Sequence, residues 1–364
     1  VVSVCHVLAG FGAVWRAGWE QGSMLISLQA LRALAAWLVV GHHIMQVFFD
    51  FKTDSPFGQF FIDKGAVGVD IFFVISGFVI YLSTQGKDIA AGRFLLNRVL
   101  RIVPAYWLFS LLAALLIVYA KPMMPGQAFD LQHFVLSLLF IPANNPAGYG
   151  LYPTLAVGWT LNYEMFFYLL FALGFSVPER YRLWLIAGAL FLVGTVATRE
   201  DWVSDFYRNS IVYEFLFGIL LGMAYQRGWI RPGRWLPVML IVASLLTIYH
   251  LDTAMRVLHW GVPSALIVAS CISLEGYFRG NRVLKSLGDC SYSVYLVHVL
   301  VLSLGWYLTQ RYDLNIYWMI GACIPAIVLA SWGSYELIEK RFFQQAKGWL
   351  DTPQPVSNRS AIPD

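Results

Sequence analysis

The stretch Met24 to Phe49, MLISLQALRALAAWLVVGHHIMQVFF, most constrains what this chain can fold into. It is long and apolar enough to cross a membrane, for which roughly 20 such residues suffice. Two ionisable residues inside it, Arg32 and His43, are more than an anchor needs. They are eleven positions apart. At about 100° per residue this is three turns plus roughly 20°, so a helix carries both on one face. Their axial separation is roughly 16 Å, about half the hydrocarbon thickness. Arg32 can sit near one membrane surface while His43 sits deep. His42 points about 100° away, which makes His43 the chemical candidate. The plainer alternative is an arginine that snorkels to the headgroups and a histidine hydrogen-bonded for packing.

Similar apolar stretches recur along the chain. Only 13% of residues are charged and 59% are hydrophobic, whereas a soluble domain is usually about 25% charged. The expected class is all-α, a polytopic membrane protein with about ten transmembrane helices. The spans are Met24 to Phe49, Ala66 to Thr84, Ile102 to Ala120, Trp159 to Val177, Leu183 to Thr198, Asn209 to Tyr225, Trp235 to His250, Val257 to Leu274, Cys290 to Thr309 and Asn315 to Ile338. With a cytoplasmic N-terminus, the outer segments hold only Lys52, Lys64, Lys121, Arg199, Arg208, Arg256 and Arg311 of the 25 basic residues. That asymmetry fits the positive-inside rule with both termini cytoplasmic. Leu131 to Ile141 is too short to cross and reads as re-entrant or interfacial. Val1 to Ser23 reads as a soluble lead-in or an over-extended gene start, residues 24–343 as the membrane domain, and 344–364 as a cytoplasmic tail. The four cysteines have no paired spacing, so no disulfide framework or metal site is expected.

Four further stretches carry polar chemistry. Gly65 to Phe78, GAVGVDIFFVISGF, opens the second span with glycines that allow close backbone approach and with Asp70 near its outer end. The alternative there is a helix-packing face whose acid suits the helix dipole. Arg98 and Arg101 lie at i and i+3, so two guanidinium groups converge on one cytoplasmic spot. Paired arginines suit phosphate, although ordinary positive-inside charge gives the same pattern. Pro104 to Trp107 reads as a helix start with an interfacial aromatic pair. Trp159 to Tyr168, WTLNYEMFFY, places Glu164 in an apolar run, where a carboxylate must be paired, protonated or facing water. Ser291 to His298, SYSVYLVH, sets Tyr295 and His298 on one face; for His298 the structural, hydrogen-bonded reading is preferred.

Together Arg32-x10-His43, GAVGVDIFFVISGF, RVLRIVPAYW, WTLNYEMFFY and SYSVYLVH resemble the acyltransferase-3 family of integral-membrane O-acyltransferases, in particular the ExoZ type associated with exopolysaccharide production. The resemblance covers about Met24 to Phe343. It implies an acyl-CoA donor, usually acetyl-CoA, met from the cytoplasm as a substrate rather than a tightly bound cofactor. It also implies an acceptor hydroxyl on a carbohydrate, a bacterial inner-membrane location, and polysaccharide-synthesis machinery as a partner class, with no nucleic acid. Some relatives carry a fused extracytoplasmic domain; here the acceptor is expected within the membrane domain. On this reading His43 is the base that deprotonates the acceptor, its ordinary pKa lying near working pH. Asp70 and Glu164 orient it or bind acceptor hydroxyls. Arg32, Arg98 and Arg101 hold CoA phosphates. A proton-coupled transporter is the competing class, but its usual inverted repeats or matched broken helices are not visible.

Overall fold

The structure is a computed structural model that describes residues 25–87 and 89–351. The expected lead-in and Cys5 lie outside the described residues. Every regular element among the described residues is helical. Among the described residues, seven helices are long and apolar enough to span a bilayer, and three shorter apolar ones cover Ser210–Gln226, Trp235–His250 and Val257–Ser273.

Helix α1 (Ile26–Phe49) is followed by the short α2 (Pro56–Lys64) and by α3 (Val67–Thr84). Next come α4 (Ala91–Tyr119), α5 (Leu131–Leu138), α6 (Trp159–Leu173), α7 (Glu179–Leu192), α8 (Glu214–Gln226) and α9 (Trp235–His250). The chain then forms α10 (Val262–Ser273), α11 (Glu275–Phe278), α12 (Arg282–Asp289), α13 (Ser291–Tyr312), α14 (Ile316–Ser334) and α15 (Phe343–Asp351). At eight residues, α5 is about 12 Å long and cannot cross. It lies along α4, where Tyr106 and Trp107 donate to the carbonyls of Ser137 and Leu138.

Helix α3 sits between α1 and α8, and glycines set both distances. A Cβ on Gly68 would come within 2.2 Å of the Ala35 carbonyl oxygen on α1. On the other side, Cβ atoms at Gly77 and Gly218 would each lie 2.1 Å from a carbonyl oxygen of the facing helix. Backbones this close need residues without side chains, as the glycine pattern of this stretch suggests. Helix α1 packs in addition against α12 and α13, and α13 against α4.

Two boundaries differ from expectation. Helix α4 begins at Ala91, so Pro104 is inside it and does not start it. Its missing N–H is tolerated within a packed membrane helix, where neighbouring helices compensate for the lost bond. Arg98 and Arg101 therefore sit on a rigid helix instead of a loop. At the other end, helix continues without a break through Ile316–Gly348, beyond the residue 338 limit set for the last span and into the expected tail.

Candidate active site

The geometry begins with how α1 is held. Leu25 offers its helix no side-chain cap. Glu275 of α11 takes that role across 249 residues, its carboxylate accepting Ile26 N–H at 3.0 Å and Ser27 N–H at 2.8 Å. One turn on, Arg32 donates to Gln29 Oε1 at 3.1 Å, and Gln29 Nε2 donates to Asp289 Oδ1 at 2.6 Å. These bonds fix the depth and rotation of the helix that carries Arg32 and His43. Substituting Glu275 by alanine should cost about 1 kcal/mol, as loss of a helix cap does. A thermal-unfolding midpoint in detergent that does not fall would show that the cap is dispensable.

Arg32 opens into a cavity of about 110 Å³, which Arg98, Arg101, Ser76, Glu164 and Tyr168 also line. Its remaining wall is largely apolar, with Val69, Phe72, Phe73, Ile75 and Val79 from α3. Glu164 Oε1 accepts from Ser76 Oγ at 3.0 Å and from the Tyr168 hydroxyl. Arg98 lies 5.4 Å from the centre of the Phe94 ring and 5.9 Å from that of Tyr168. Its Nε is buried without a hydrogen-bond partner. Three guanidinium groups and one carboxylate line this space, with the Glu339 and Asp289 carboxylates behind Arg32, and the converging N–H donors suit a multiply charged anion.

The cavity closes before it reaches His43. Phe72 and Tyr295 end its lining, with ring centres 6.2 Å apart. The Tyr295 hydroxyl is fastened to the Thr160 hydroxyl at 2.9 Å and donates to the Val157 carbonyl at 2.8 Å. One turn beyond, His298 is fully buried. Its Nε2 lies 3.2 Å from His43 Nδ1. The space that Arg32 lines thus stops short of His43, and an aromatic layer separates it from the histidines.

The partners of these two rings determine their tautomers. His298 Nδ1 is 3.0 Å from the Val294 carbonyl, which can only accept. The proton of neutral His298 is therefore on Nδ1, leaving Nε2 an acceptor. His43 Nδ1 faces that Nε2 and, at 2.9 Å, the Val39 carbonyl. Two acceptors require N–H at His43 Nδ1, so His43 Nε2 keeps its lone pair. This is the protonation pattern of a general base. His298 was expected only as a packing residue; the SYSVYLVH stretch was the available signal for it. His42 turns away, its Nδ1 3.1 Å from the Phe61 carbonyl.

Asp70 is elsewhere. It is fully buried and accepts from Arg256 Nε at 3.0 Å and Nη2 at 2.7 Å. Glu214, at the start of α8, is fully buried nearby, and neither of its carboxyl oxygens has a hydrogen-bond partner. The Asp70 side chain does not line the arginine cavity, and its carboxylate is committed to Arg256 rather than to His43. Neither Arg256 nor Glu214 was singled out in the sequence.

The acyltransferase-3 family model, described as an acyltransferase domain, matches residues 25–335. The chain belongs to the acyltransferase-3 family. It is 33% identical over 253 residues to the exopolysaccharide production protein ExoZ of Rhizobium meliloti, covering 66% of this chain and 77% of that one. It is 29% identical to the acyltransferase MdmB of Streptomyces mycarofaciens over 77% of this chain and 80% of the relative. A putative peptidoglycan O-acetyltransferase of Bacillus subtilis, YrhL, is 25% identical over 86% of this chain and 54% of its own length. No solved structure matches. The protein is a multi-pass membrane acyltransferase. Of the six site residues expected from the family's motifs, the acyltransferase gathers Arg32, Arg98, Arg101 and Glu164 around one cavity. It holds His43 one aromatic layer away and Asp70 apart.

Proposed function

We propose that this acyltransferase moves an acyl group, acetyl in the simplest case, from acyl-CoA to a hydroxyl of a carbohydrate acceptor. That acceptor is a surface or exopolysaccharide or its lipid-linked precursor, and the site of action is the bacterial inner membrane. The observation that carries the reading is the span from a cluster of three arginines to a histidine with a free lone pair, with Arg32 of that cluster and His43 both on α1. That span is roughly 16 Å along α1. In acyl-CoA the arm from pyrophosphate to sulfur is about thirteen bonds, or roughly 16 Å at about 1.2 Å each when extended. With its phosphates at Arg32, Arg98 and Arg101, an extended donor brings its thioester to the level of His43. The printed names of ExoZ and YrhL, which concern exopolysaccharide production and peptidoglycan O-acetylation, support a carbohydrate acceptor.

The chemistry then needs little more than a base and a dry site. His43 Nε2 removes the acceptor's hydroxyl proton as the oxygen attacks the thioester carbonyl. The new C–O bond forms, the C–S bond breaks, and the proton passes from His43 to the departing CoA thiolate. No net proton is consumed. Glu164, held by Ser76 and Tyr168, balances part of the arginine charge and leaves the cavity attractive to phosphate. For the thioester to meet His43, the Phe72–Tyr295 layer must part, and the Tyr295 hydroxyl bonds are its fastening.

The test is turnover of purified protein in nanodiscs, read as thiol release from acetyl-CoA in the presence of a carbohydrate acceptor. Changing both Arg98 and Arg101 to alanine should raise KM for the donor about 100-fold or more, since each of the two charge-assisted bonds is worth about 1.5–3 kcal/mol. An unchanged KM would remove the arginine cavity from donor binding. Absence of acetyl-CoA turnover with every carbohydrate tried, alongside turnover of a different activated acyl donor, would overturn the donor assignment.

A further inference from the structure

A second cavity, of about 640 Å³, lies between α7 and the ends of α3, α6 and α8. Phe94 stands between it and the arginine cavity. That ring is 6.2 Å from Tyr168, which lines the first cavity, and 5.4 Å from Phe171, which lines the second. Arg180, Arg182 and Arg227 line the second cavity against the single carboxylate of Glu179. Trp184 lines it too, while 73% exposed. Arg182 is committed in part, its Nε donating to the Gly174 carbonyl at 3.1 Å. Arg180 and Arg227 are exposed.

Two orphaned polar atoms lie on either side of Phe94. Arg98 Nε, on the near side, is a buried donor without an acceptor. Gln85 Oε1, on the far side, is a buried acceptor without a donor, and Gln85 lines the second cavity. Buried polar atoms are normally paired, so an occupant that offers an acceptor at one end and an N–H at the other is called for. The phosphate of a lipid offers acceptors only. An adenine carries an amino group that a glutamine carbonyl accepts, and its flat face stacks on indole.

We propose that the second cavity is the nucleotide subsite of the donor site and binds the 3′-phosphorylated adenosine of CoA. Gln85 receives the adenine amino group, and Arg180 and Arg227 receive the 3′-phosphate. The subsite rests on the donor reading above and extends it by giving the enzyme a grip on the end of CoA farthest from the chemistry. Binding energy gathered there anchors a long, flexible donor while its thioester is positioned elsewhere.

Equilibrium binding to the full chain in nanodiscs tests this with three probes: CoA, 3′-dephospho-CoA and 4′-phosphopantetheine. The native protein should bind CoA about tenfold or more tighter than dephospho-CoA. The double variant Arg180→Ala, Arg227→Ala should lose that preference and keep its affinity for dephospho-CoA. Gln85→Ala should weaken both adenine-bearing probes and leave phosphopantetheine unaffected. If the native protein binds all three probes equally, the subsite is rejected and the donor reading survives. If none of the three binds, both fall together. If the double variant instead sheds a co-purified phospholipid while its preference for CoA persists, the cavity is a lipid site and the proposal is overturned.

Discussion

Replacing His43 by alanine is expected to lower acyl transfer by about 10²- to 10⁴-fold, the usual contribution of a positioned general base. Donor binding should be nearly unchanged, because the arginine cavity does not include His43. The readouts are kcat for thiol release in nanodiscs and, in cells with equal membrane levels of each variant, acyl content of surface polysaccharide. Unchanged acylation in cells would reject His43 as the base. His298 gives the sharper contrast, because it works through His43 and is a positioning residue. His298→Phe removes the acceptor that faces His43 Nδ1 at 3.2 Å and frees the ring to rotate or change tautomer. It should lower kcat roughly 10- to 100-fold with KM for the donor held, a fraction of the effect of removing the base itself. His298→Gln keeps a carbonyl oxygen that can accept and an amide that can donate, and should restore part of the loss. A ring that served packing alone would give the opposite order, with phenylalanine the better substitute.

Much of this arrangement was legible because it is local. The eleven-residue spacing of Arg32 and His43 and the i, i+3 spacing of Arg98 and Arg101 are properties of one helix and survive folding unchanged. The glycines of Gly65 to Phe78 announced close backbone approach, and α3 uses Gly68 and Gly77 in that way. Pro104 misled because a proline usually marks a helix boundary, and a membrane interior can keep the helix continuous around it. Pairings between helices leave no such trace. His43 and His298 are 255 residues apart, and Asp70 and Arg256 are 186 apart. No period or spacing links such residues; only the packing of α1 on α13 and the approach of α3 to the start of α10 bring them together. The aromatic layer of Phe72 and Tyr295 is similar, two ordinary apolar-face residues until α3 and α13 are set side by side.

The largest effect on the fold is expected at Asp70. Its carboxylate is fully buried against an Arg256 side chain that is itself only 19% exposed. Removing one partner of such a pair leaves a nearly buried charge with its desolvation cost and no compensation, typically about 3–5 kcal/mol. Asp70→Ala should therefore sharply lower the yield of monodisperse protein extracted in detergent and its unfolding midpoint, and acyl transfer should fall in proportion to folded protein. Glu214 sets the control. Its carboxyl is fully buried and neither oxygen has a hydrogen-bond partner, while Arg256 is taken up by Asp70. Glu214→Gln keeps the shape of the group and removes a buried ionisable carboxyl, so little stability should be lost. The shape of the site supports this small change, since Gly261 leaves room for the Glu214 head, which a Cβ there would meet at 3.0 Å. Measured in parallel, a stable Glu214→Gln beside a failing Asp70→Ala identifies Asp70 as the counter-ion that ties α3 to the Arg256 segment. A folded and stable Asp70→Ala with selectively reduced kcat would instead return Asp70 to the chemistry.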